Sequence, residues 1–184
     1  SPDGQFARLV RWATASYRLG AHTFSLNDIE NGVLRNNKQS AVPGTKPQFP
    51  PDDAKAGFLL PLDNRLHFAL NCGAISCPPV RVYSEAHLEA ELDAASADYL
   101  GRYVAVDTGT RTVKLTRLCN WFAPDFGDDN AAILRRIASL VVDEMAEFSV
   151  EGTSMRAALE EIADIATIDH FPYSMEPNWR TDTE

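Results

Sequence analysis

The stretch His67-Phe-Ala-Leu-Asn-Cys-Gly-Ala-Ile-Ser-Cys-Pro-Pro79 holds two of the chain's three cysteines and one of its four histidines. Its first part predicts a strand. Leu66, Phe68 and Leu70 alternate with Arg65, His67, Ala69 and Asn71, the period-2 pattern of a half-buried element. Gly73 and Pro78-Pro79 then break the pattern into a turn, the kind of segment on which a scaffold displays reactive groups. A straight strand through Cys72 sends that thiol to the apolar Leu66/Phe68/Leu70 face, opposite His67. The turn then brings Cys77 back toward His67 and Asn71.

Three chemistries are compatible with these residues; a thioredoxin-like redox pair is disfavoured, because four residues separate the cysteines instead of two. In the first, Cys77 is a nucleophile, His67 its base, and Glu30 or Asn71 the group that orients the imidazole. Such a site needs a thiolate beside an imidazolium or a helix N-terminus, and the amides of Gly73 to Ser76 would hold the oxyanion. In the second, Cys72 and Cys77 form a disulfide and the turn is structural. The third, a metal site of His67, Cys72, Cys77 and His22, matches no common zinc spacing, so neither a metal nor another cofactor is expected. Arg35, Arg65 and Arg81 are candidates for an anion subsite that binds substrate. Their plain reading is a solvated surface.

Working outward, residues 6–19 predict a helix with Phe6, Leu9, Val10, Ala13 and Tyr17 on one face and Gly20 as its stop. Ser25 opens a second helix, with Asp28 completing a capping box and Leu26, Ile29 and Val33 as its stripe. Residues 37–61 carry five prolines and no periodicity, and read as a long surface loop. Ser84 caps a helix that Gly101 ends, with Leu88, Leu92, Ala95 and Tyr99 inward. Tyr103 to Leu115 reads as a hairpin, and Leu118 to Gly127 as a short aromatic helix. Asp128 or Asp129, then Thr153 or Ser154, cap two more helices, and Thr167 to Phe171 forms a last strand. The tail after Trp179 is expected to be disordered. Cys119 reads as core packing, His87 as exposed and His170 as a satisfied, buried group. The class is α+β, one domain over residues 1–180, with a small, mostly antiparallel sheet surrounded by several helices.

Composition narrows the function. A net charge of −9 argues against nucleic acid, and no apolar run reaches a membrane span. At 184 residues and 45% hydrophobic, the chain can bury a core unaided. The Ser-Pro start fits a processed or trimmed form, and an exported location, periplasmic or secreted, is favoured over the cytoplasm.

Ser25-Leu-Asn-Asp-Ile-Glu-Asn-Gly-Val-Leu-Arg35, Arg65-Leu-His-Phe-Ala-Leu-Asn-Cys-Gly-Ala-Ile-Ser-Cys-Pro-Pro-Val-Arg81 and Tyr173-Ser-Met-Glu-Pro-Asn-Trp179 together resemble the domain-of-unknown-function family five-four-seven of bacteria and plants. The likeness runs from about Tyr17 to Trp179 and brings no established activity with it. It implies an upstream helix with an Asn-x-Tyr-Asn motif, which these residues do not contain. Two functions follow as expectations. One is a cysteine-dependent hydrolase or acyl transferase acting on an amide or ester of a small-molecule or peptide substrate. The other is a non-catalytic interaction or scaffold domain with a structural Cys72–Cys77 disulfide.

Overall fold

The computed structural model describes residues 10–39, 44–143 and 153–176. They fall into two compact units, one within residues 1–63 and one within 64–184. The class is α+β, as the sequence predicts.

In the first unit, residues 10–14 close a helical turn, and β1 (Ser16–Leu19) pairs antiparallel with β2 (His22–Ser25). The helix expected over 6–19 therefore does not continue through Tyr17, and its residues 6–9 lie outside the described residues. Gly20, at φ +59°, turns the chain back so that the backbone of 16–19 finds partners in 22–25. Tyr17 and Leu19 remain exposed, so no burial competes with that pairing. The capping box forms: Asp28 N–H donates to Ser25 Oγ at 3.0 Å and Ser25 N–H to Asp28 Oδ2 at 3.0 Å.

The helix that follows, Asp28–Leu34, is wound wider than an α-helix, with Arg35 N–H reaching Glu30 O and Asn37 N–H reaching Gly32 O. It stops where Asn36 and Asn37 take φ of +52° and +57°. Asn37 also ties down the proline-rich stretch, donating to Phe49 O at 2.8 Å and accepting from Phe49 N–H at 2.9 Å. Phe49 is thereby buried against Gly32 and Phe24, so this stretch contributes to the core instead of lying wholly on the surface. A short helical turn, Ala54–Phe58, is capped by Asp53.

In the second unit, α1 (Leu88–Tyr103) leads into the hairpin β3 (Val104–Asp107) and β4 (Thr112–Leu115), in the register Val104↔Leu115. The helix passes through Gly101 and ends two residues later, at the start of β3. Ser84 makes no side-chain cap bond; its N–H and hydroxyl both donate to the Glu91 carboxylate, which lowers that group's pKa. The short helices α2 (Leu118–Trp121) and α3 (Ala123–Phe126), then α4 (Asn130–Leu140) and α5 (Met155–Ile162), fill the crossover to β5 (Thr167–His170). That long connection is what allows β5 to run parallel to β4, and the sheet order is β3-β4-β5. Asp129 and Ser154 cap α4 and α5 through Ala132 N–H and Ala157 N–H. Phe68, Tyr99, Leu100, Val104, Val113, Leu115, Leu134, Ile137 and Leu159 meet in one core. The tail after Trp179 lies outside the described residues.

Candidate functional site

The segment read as a strand before Cys72 is a helical turn, Asn64–Phe68. Leu66, His67, Phe68 and Ala69 are all buried in succession, which a strand with one wet face does not allow. The turn packs on α1, and Ala69 and Leu70 N–H both donate to Leu66 O. The period-2 argument that aimed Cys72 inward therefore fails. Cys72 is exposed, and Cys77 is the buried sulfur at 8% exposure.

His67 enters an aromatic cage. Its ring stacks on Phe122 at 4.2 Å between centroids and lies 5.4 Å from Phe126. Its Nε2 stands 2.8 Å from Asp125 Oδ2, and the side chains are 2% and 0% exposed. Asp125 was not foreseen. It lies in Phe122-Ala-Pro-Asp-Phe126, with Pro124 in the first turn of α3.

The turn itself is closed by a Cys72–Cys77 disulfide with Cα atoms 6.1 Å apart. Gly73 takes φ +80°, where a side chain would be strained. Asn71 braces the bend, accepting from Gly73 N–H at 2.7 Å and donating to Pro78 O at 2.6 Å. Of the amides proposed for an oxyanion, those of Gly73, Ile75 and Ser76 are already used. Ile75 N–H donates to Glu176 O, Ser76 N–H to Ser174 O, and Cys77 N–H to Ala74 O. Ser76 Oγ accepts from Ser174 N–H, and Ser76 O accepts from the Tyr99 hydroxyl at 2.8 Å. Burial raises the Tyr99 phenol's pKa far above its ordinary value, so it stays a neutral donor. Two donors meet Cys77 Sγ: Cys72 N–H at 3.0 Å and Tyr173 O–H at 3.3 Å. Tyr173, which the sequence reading placed only in the closing motif of the resemblance, rests edge-on against Trp121 at 4.8 Å.

The arginines do not gather as an open cluster. Arg65 pairs with Glu89 and Asp93, and Arg81 with Asp98, which also holds Arg102. Glu30 and Arg35 belong to the first unit, where Arg35 is buried and donates to Asn31 Oδ1 and Gln39 O. His22 is there too, edge-on to Phe58. Cys119 is buried in the core of the second unit, and burial raises its thiol pKa. His87 is exposed and His170 half-buried. Among the described residues, no group of three or more His, Cys, Asp or Glu side chains is arranged to hold a metal ion. Among them, too, no helix is long and apolar enough to cross a membrane.

Comparison with curated proteins and with solved structures finds no match. A family model described as "Protein of unknown function, DUF547" matches residues 2–100, a span that includes the Ser25–Arg35 segment and the whole disulfide turn. The chain belongs to the DUF547 family.

Proposed function

We propose that this chain is a non-catalytic interaction domain in which the bridged loop at residues 72–77 is the organised feature. The observation that carries the reading is the state of Cys77, buried and covalently joined to Cys72, so that it offers no thiolate. The commitment of the Ile75, Ser76 and Cys77 amides within the protein supports it as well, since an oxyanion would find these donors taken. Beyond the loop Val80 is 79% and Val82 93% exposed, on either side of Arg81, as suits a surface that meets another molecule.

The test is alkylation of the unreduced protein followed by peptide mass mapping, alongside assays with activated ester and amide substrates. The expected result is a Cys72–Cys77 bridge and no turnover. Turnover that disappears in both Cys77→Ser and His67→Ala would overturn the reading.

A thiol hydrolase or acyl transferase is the second reading, and the His67–Asp125 pair favours it. An imidazole held by a buried carboxylate is the arrangement a cysteine nucleophile uses for its base. In this reading a dithiol first reduces the bridge and leaves as its own disulfide. Cys77 then attacks an amide or ester carbonyl as His67 takes its proton, His67 returns that proton to the leaving amine or alcohol, and the acyl group stays on Cys77 until water or an acceptor takes it. Reduced protein in the same assays separates the two readings.

A further inference from the structure

The two sulfurs of the bridge differ in ways that matter for thiol chemistry. Cys72 is exposed and Cys77 is buried, so an incoming thiolate has access to only one end of the bond. The other end is prepared for negative charge. Cys77 Sγ already receives Cys72 N–H at 3.0 Å and Tyr173 O–H at 3.3 Å, nearer than the 3.8 Å from that hydroxyl to Cys72 Sγ, and both bonds strengthen when the sulfur becomes an anion. The loop's frame is also independent of the bond. Ile75 and Ser76 are hydrogen-bonded to Glu176 and Ser174, Ser76 O is held by Tyr99, and Asn71 spans the bend to Pro78. Opening the S–S bond leaves those contacts in place, as a reversible pair requires.

We propose that Cys72–Cys77 is a thiol-exchange site that accepts two electrons from a dithiol. One thiolate of the dithiol attacks Cys72 Sγ. A new S–S bond forms to Cys72, the Cys72–Cys77 bond breaks, and its electron pair leaves on Cys77 as a thiolate held by Cys72 N–H and Tyr173 O–H. The dithiol's second thiolate then attacks its own partner sulfur in the mixed disulfide. Cys72 is released as a thiolate, and the dithiol leaves as an internal disulfide. The two protons given up by the dithiol end on the two cysteines or on water. The inference rests on the bridged loop of the preceding section and adds to it a direction of attack and a stabilised leaving group.

The experiment uses the unreduced full chain. Reduced glutathione, a monothiol, stops exchange at the mixed disulfide, and N-ethylmaleimide then caps the released thiol. Both cysteines lie in one tryptic peptide, Leu66 to Arg81, so fragmentation between residues 72 and 77 assigns each adduct. The expected result is glutathione on Cys72 and maleimide on Cys77, in about tenfold excess over the reverse arrangement. Tyr173→Phe keeps the ring against Trp121 and removes the donor, and exchange is expected to slow roughly three- to tenfold. An even or reversed distribution, or wild-type exchange rates in Tyr173→Phe, overturns the inference while leaving the bridge intact. Two free thiols before any reductant is added would instead remove the bridged loop itself, and so the reading beneath it.

Discussion

Replacing both bridge cysteines in Cys72→Ser/Cys77→Ser isolates what the bond contributes to stability. The cysteines are 5 apart in sequence, a closed loop of six residues counting both ends. In the chain-entropy model a loop of that size restricts the unfolded chain by about 7 cal/mol/K, or about 2 kcal/mol at 25 °C. Residual local order in the unfolded turn lowers the effect; about 1–2 kcal/mol is expected. At Cys77 a serine hydroxyl still meets Cys72 N–H and Tyr173 O–H, so the substitution strands no polar group. The assay is urea unfolding followed by circular dichroism. With a slope of about 2 kcal/mol/M, the midpoint falls by about 0.5–1 M. Wild-type protein in excess dithiothreitol carries no substitution and should fall by the same amount. A midpoint within about 0.2 M of the oxidised wild type, in both the variant and the reduced protein, would refute the loop-entropy reasoning.

Three other outcomes follow from particular contacts. Removing either member of the His67–Asp125 pair strands a buried polar partner, so His67→Leu and Asp125→Leu are each expected to cost about 3–5 kcal/mol. The double variant should cost clearly less than their sum in a denaturation cycle; additivity would mean the pair is not coupled. Gly127→Ala places a Cβ 2.9 Å from the backbone of both Ala132 and Ile133 at the start of α4, which cannot move without shifting the helix. A loss of roughly 1–3 kcal/mol is expected by thermal unfolding, and an unchanged melting temperature would contradict the close approach. His170 has its pKa lowered by burial and by Arg117, so below its ordinary value of 6.5 the unfolded chain binds the extra proton more readily. Stability should therefore rise with pH through the window from its folded pKa up to 6.5, and His170→Gln should flatten that rise in unfolding measured across pH.

Local rules carried the helix starts well. Asp28 with Ser25, Asp129 and Ser154 each bond a backbone group three residues away, and a contact that short is written in adjacent letters. The β3–β4 hairpin was legible for the same reason, with Val104 and Val113 buried on alternating strands around a turn. The segment before Cys72 was not. Its apolar residues alternate, but the polar position between them is His67, which is itself buried on Asp125, so the apparent wet face does not exist. Residues 16–19 failed differently: helical spacing was present, but Gly20 offered a hairpin.

The amino-acid order alone determined the family, the α+β class, most capped helices and the importance of the Cys72–Cys77 turn, because these depend on short-range spacing and composition. Tertiary structure decided which sulfur is buried, which carboxylate meets the imidazole and what receives the loop. His67 and Asp125 are 58 residues apart, and Cys77 and Tyr173 are 96 apart. No local pattern encodes such a pairing; it exists only once the crossover helices and β5 have packed around a shared core.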